Sequence, residues 1–121
     1  MLNNLNKSET GKETIEYILD HPELEIQMCY NIDHEPNVLG LQYKNTIQIF
    51  ASETKTVQTT AETLIHEITH HKYNIGGSQW AECVCRAQEV KHRNRTDKLT
   101  GAELRSIIKE IKELYAEYPW R

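Results

Sequence analysis

Two histidines four residues apart, with a glutamate directly after the first, form the stretch of this chain best equipped for chemistry: His66-Glu67-Ile68-Thr69-His70. On an α-helix, residues four apart lie on one face, so both imidazoles reach the same point in space. Two neutral imidazoles suit Zn²⁺ at roughly 2.0–2.1 Å each. Glu67 can then face a water activated by the ion and take its proton. That combination is the core of a metal-dependent hydrolase, most often a peptidase. A shuffled chain of this composition gives roughly 0.04 matches to His-Glu-x-x-His, so the pattern needs support from its surroundings. Those surroundings are helical. Val57, Ala61, Leu64, Ile65 and Ile68 recur at three- and four-residue intervals, no Pro or Gly interrupts Glu53 to Asn74, and Gly76-Gly77 follows as a stop.

A catalytic zinc takes three protein ligands and keeps one position for water. No Asp occurs between His70 and Asp97. Tyr73 and Gly76 stand where a longer His-Glu-x-x-His-x-x-Gly-x-x-His pattern needs its Gly and its third His. His71 points about 100° away from His70 around the helix. Glu82 and Glu89 remain, seven apart and so on one face of a helix expected from Gln79 to about Arg93. Glu82 lies nearer the reversing turn, opposite the last turn of the motif helix, and is the favoured ligand. Glu89 is an alternative ligand, an acceptor for a ligand imidazole N–H, or a surface carboxylate. The oxyanion of a tetrahedral intermediate needs a donor besides the metal, and Tyr73, His34 and Tyr43 are the candidates.

His66-Glu67-Ile68-Thr69-His70-His71, a short Gly-containing connection, and Trp80-Ala81-Glu82-Cys83-Val84-Cys85-Arg86-Ala87 together resemble the ImmA/IrrE family of small zinc peptidases, whose metal site is similar to that of the thermolysin group. The resemblance spans about Ile47 to Ala87. The family's second motif runs Glu-Ala-Asn-x-Phe-Ala. Glu82 matches its ligand glutamate and Ala87 its closing alanine, while Cys83, Val84 and Arg86 replace the first Ala, the Asn and the Phe. The resemblance implies a zinc peptidase with Glu67 as general base, His66, His70 and Glu82 as ligands, and a protein or peptide substrate. It also suggests a regulator protease associated with phage or mobile elements. Two other readings stay open: a zinc-dependent toxin or effector domain of a longer polymorphic-toxin chain, and a non-catalytic zinc-stabilised binding module whose fourth position is closed by His71 or His34.

The chain has 121 residues, a net charge of −4 and a pI near 5.9, so one domain is expected and nucleic acid is not an expected partner. Lys91-His92-Arg93-Asn94-Arg95 reads as a solvated helix end. No apolar run reaches the ~18 residues of a membrane helix, and Met1 to Lys7 lacks an apolar signal core. No membrane partner is expected and the reading is cytoplasmic, although a toxin domain cut from an exported chain would carry the same pattern. Oligomeric state has no signature. Cys29, Cys83 and Cys85 are odd in number and read as small buried apolar residues.

These features predict an α+β fold: a minimal zincin-like domain with a small three-stranded sheet, an active-site helix and two further C-terminal helices. Residues 1–9 are expected to be a loose lead to one metallopeptidase domain over 10–121. Thr10 and Glu13 suggest a capping box for a helix running to Asp20, with Ile15, Ile18 and Leu19 inward. Ile26, Met28, Tyr30 and Ile32 alternate as the inward side of a strand. Residues 33–37 form a loop, and 38–43 and 46–50 form a hairpin turned at Lys44-Asn45. The second hairpin strand either offers a free edge to an extended substrate or lies fully inside the sheet. Thr100 and Glu103 form a capping box, with Leu99 stapled to Leu104. Ile107, Ile108, Ile111, Leu114 and Tyr115 continue the apolar stripe of that helix, and Trp120-Arg121 either packs back or dangles.

Overall fold

The structure, a computed structural model, describes residues 1–30 and 38–121. Its elements run α1 (Leu2–Leu5), α2 (Glu9–Asp20), β1 (Glu25–Cys29), β2 (Gly40–Tyr43), β3 (Thr46–Phe50), α3 (Ala51–Thr54), α4 (Val57–Tyr73), α5 (Gln79–Arg93) and α6 (Gly101–Leu114). The fold is α+β, with helices around a three-stranded mixed sheet of order β1-β3-β2. Strand β1 pairs in parallel with β3, from Glu25↔Thr46 to Cys29↔Phe50. Strand β2 pairs antiparallel with β3, from Gly40↔Ile49 to Tyr43↔Thr46. The hairpin turn is where the sequence places it, with Lys44 at positive φ. Strand β3 is the central strand, so its two edges are taken and the free-edge reading for it falls. Among the described residues, β2 pairs on one side only.

Helix α4 is the axle. Ala61 to His70 are buried without a break, which means buried on every face. Leu64, Ile65 and Ile68 join Leu5, Ile47, Ile49 and Ala61 in one apolar cluster, with Ile15, Tyr17, Ile18, Leu24 and Ile26 packed around it. A second cluster of Cys83, Ile107 and Ile111 joins α5 to α6. α4 and α5 run antiparallel, as the short turn between them requires. The end of α4, rich in His70, His71 and Lys72, therefore meets the start of α5, which carries Glu82. Cations at a helix C-terminus and anions at an N-terminus are both favoured by the helix dipole.

Several local expectations change. Residues 1–9 are not a loose lead: Leu5 is fully buried, worth about 1.5–3 kcal/mol of apolar transfer. Ser8, not Thr10, caps α2, accepting the Gly11 N–H at 2.8 Å. Gly11 belongs to the packing of α1, because a Cβ there would fall 1.9 Å from the Leu5 carbonyl oxygen. Leu19 is 75% exposed, since α2 turns Ile15 and Ile18 inward instead. The long helix expected from residue 53 breaks at Lys55 (φ 62°) and restarts where Thr56 accepts the Thr59 N–H. In β1 the alternation is not kept: Met28 and Tyr30 are exposed and Cys29 is buried. Ile32, His34 and the 33–37 loop lie outside the described residues. In α6 the capping box forms as expected, yet Leu104 and Leu114 face solvent while Ile107 and Ile111 carry the packing. The C-terminal residues pack back: Gln79 N–H donates to Pro119 O and Trp80 N–H to Trp120 O, each at 2.8 Å, closing the open start of α5.

Candidate metal centre

His66 and His70 point from one face of α4 towards Glu82 on α5. The Nε2 of His66 lies 2.9 Å from Glu82 Oε2, and the Nε2 of His70 lies 3.1 Å from Glu82 Oε1. One carboxylate thus faces both imidazoles through both of its oxygens. The far side of each ring is also engaged. His66 Nδ1–H donates to Glu89 Oε2 at 2.5 Å, and His70 Nδ1–H donates to the Ile75 carbonyl at 2.8 Å. All four side chains are buried, at 6–9% exposure.

The local fold explains this aim. α4 ends with Asn74 in the left-handed region (φ 51°, ψ 50°). Asn74 N–H bonds to His71 O and Ile75 N–H to His70 O, both at 3.2 Å, the paired bonds of a Schellman turn. That turn brings the Ile75 carbonyl beneath the His70 ring. On the other ring, Arg86 stands between two carboxylates: its Nε lies 3.4 Å from Glu89 Oε2 without hydrogen-bonding to it, and its Nη1 lies 3.0 Å from Glu110 of α6. Glu89 is therefore the acceptor behind the His66 imidazole.

The electrostatics follow from those contacts. Burial opposes charge on His66, but hydrogen bonds to Glu82 and Glu89 overcome it and raise its pKa to about 10. Burial would raise Glu82, yet the hydrogen bonds from His66 and His70 bring it down to about 2. His70 is raised as well, its burial outweighed by Glu82. Glu67 is raised mainly by burial, opposed by the two imidazoles. Its carboxylate therefore holds a proton more readily than an ordinary glutamate while lying in the field of both histidines.

A divalent cation suits this arrangement. With both Nδ1 atoms committed to acceptors, both Nε2 atoms converge on one carboxylate, so His66, His70 and Glu82 could together hold such an ion. The structure also brings in a residue the sequence reading treated as apolar filler. Donor atoms of His66, His70 and Cys85 all lie within 4.8 Å of one another. The spacing carries a signal for it, since Cys85 follows Glu82 by three and shares its helix face. Burial, then Glu82, Glu67 and Glu89, push the Cys85 thiol well up. Burial and then Glu82 raise the phenol of Tyr115, which packs on the Cys83, Ile107 and Ile111 cluster.

The suggested oxyanion donors are not gathered here. Tyr73, in the last turn of α4, is 53% exposed and lines a surface hollow with Tyr17. Tyr43 is 73% exposed at the far end of β2. His34 lies outside the described residues. His71 bonds to Tyr17 Oη and Asn45 and so is turned away from the centre.

The near end of β2 does reach the site. A Cβ on Gly40 would stand 2.8 Å from Thr63 Cγ2 and 3.3 Å from Glu67 Cγ. Only a glycine lets the strand pass so close to α4. No protein-family model matches the chain, and no curated protein or solved structure matches it.

Proposed function

We propose that this chain is a metal-dependent hydrolase, and more narrowly a zinc peptidase of the kind suggested by the ImmA/IrrE resemblance. The observation that carries the reading is Glu82, whose two oxygens meet Nε2 of His66 and of His70 while Glu89 and the Ile75 carbonyl hold the reverse sides of the rings. His66, His70 and Glu82 would hold the ion, replacing the two Nε2 protons. Zn²⁺ bound there supplies a Lewis acid that polarises a carbonyl and activates water near neutral pH. Glu67, buried and with a raised pKa, accepts the water's proton and returns it to the leaving amine. Glu89 and the Ile75 carbonyl keep the imidazoles in the Nδ1–H tautomer. An extended peptide would lie along β2, whose Gly40 end adjoins Glu67, and pair through main-chain hydrogen bonds.

The test is Glu67→Gln in the purified protein, with metal content and hydrolysis of a peptide library measured together. Metal stoichiometry should be unchanged, and turnover should fall by roughly 10²–10⁴-fold. Retained turnover in a metal-loaded Glu67→Gln protein would remove Glu67 from the reaction. A second reading, a zinc-stabilised binding module, is favoured by the thiol of Cys85 beside the imidazoles. Peptide hydrolysis by wild type that depends on Glu67 decides against it.

A further inference from the structure

Cys85 is fully buried, and it faces the same imidazoles as Glu82 from one turn further along α5. The other two cysteines are buried elsewhere: Cys83 packs on Ile107 and Ile111, and Cys29 closes β1. A small apolar filler would serve at position 85 without a sulfur. A sulfur within 4.8 Å of two imidazole nitrogens is a soft donor added to a borderline donor set.

We infer that Cys85 is a further protein donor to the ion of this centre, beside His66, His70 and Glu82. This rests on the metal reading above and adds a thiolate to it. Donor atoms about 2.0–2.3 Å from a tetrahedral ion lie roughly 3.3–3.7 Å apart. Since no pair among His66, His70 and Cys85 exceeds 4.8 Å, none has to close by more than about 1.5 Å. On binding, the S–H bond breaks, a sulfur–metal bond forms and the proton leaves to solvent, with no transfer of electrons. The thiolate biases the centre towards Zn²⁺ or Co²⁺ and away from Mg²⁺ and Ca²⁺.

Titration of the metal-free full chain with Co²⁺ alone, followed by absorption, tests this. Wild type should show the visible bands of a four-coordinate cobalt centre together with a near-ultraviolet sulfur-to-cobalt charge-transfer band. Cys85→Ser should lose the charge-transfer band and keep the visible ones. The double variant Cys29→Ser/Cys83→Ser, with Cys85 its only cysteine, should keep both, and it carries the test if Cys85→Ser does not fold. Visible bands without charge transfer in wild type overturn ligation by Cys85 and leave the hydrolase reading standing. Absence of any cobalt band in folded wild type overturns the metal reading itself. A charge-transfer band that survives Cys85→Ser also overturns the inference.

Discussion

Helices α4 and α5 bury histidines at both ends of their contact, in opposite company. At one end His66 and His70 sit among Glu82, Glu89 and Glu67, and their pKa values are raised. At the other end His92 is just as buried, at 2% exposure, but its neighbours are a hydroxyl and an amide. Burial lowers its pKa, with Glu62 opposing and Arg95 and Lys7 reinforcing. The direction of each hydrogen bond there can be worked back from Glu62, which only accepts. Gln58 Nε2 donates to Glu62 at 2.7 Å, so Gln58 Oε1 accepts from Asn4 Nδ2 at 2.8 Å. Asn4 Oδ1 then accepts from His92 Nε2–H at 2.8 Å, which leaves His92 Nδ1 to accept from the Ser8 hydroxyl. The Ser8 oxygen in turn accepts from Gly11 N–H. His92 is neutral because the chain of donors and acceptors has no place for a second proton. All three histidines are less than a tenth exposed, and the partners decide which way each pKa moves.

The largest expected effect breaks the carboxylate end. His66→Ala leaves Glu82 and Glu89 facing each other without their shared partner. It should cost about 3–5 kcal/mol in denaturant unfolding, with loss of bound metal by elemental analysis. Unchanged stability would mean that the carboxylates find other partners and the cluster is not a unit.

At the neutral end, His92→Gln should cost about 1–3 kcal/mol at neutral pH, by leaving Ser8 or Asn4 unsatisfied. The sign of the pH effect follows from the lowered pKa. The His92 contribution is complete above the unfolded value of about 6.5 and is lost as pH falls from there towards the folded pKa. Wild-type stability should therefore drop across that window, and His92→Gln should flatten the slope. A still smaller change sharpens the contrast. Asn4→Asp puts a carboxylate against His92 and should move its imidazole titration, followed by NMR, from below the ordinary value to above it. An unmoved titration would show that the partner does not set the charge.

Smallest is Thr100→Ala, outside both ends. Loss of the capping box should cost about 1 kcal/mol by thermal or denaturant unfolding, with metal content and the His92 titration unchanged.

What was legible in the sequence was local. The His-Glu-x-x-His spacing, the Lys44-Asn45 turn and the Thr100–Glu103 box each involve residues within a few positions of one another, and periodicity or capping chemistry decides them. Glu82 was reachable because the connection after α4 is short. The failures are long-range. Asn4 and Ser8 bond to His92 across 88 and 84 residues, and nothing in the spacing of residues 1–9 marks them as partners. Thr10 lost the cap of α2 to Ser8 because the close pass of Leu5 over Gly11 shifts the helix start. The central place of β3 depends on β1 joining it in parallel, which a hairpin pattern does not reveal. Cys85 was readable from its helix face, but cysteine is commonly buried as an apolar residue, and that habit hid the donor.

The carbonyl that aims His70 belongs to the main chain at Ile75. An alanine scan would pass over it, because every substitution at that position retains the oxygen. Chain length is what disturbs it: one residue inserted between Asn74 and Ile75 would swing the acceptor out from under the ring while leaving every letter of the motif intact. The Asn74–Ile75 junction therefore contributes a count as much as a residue type.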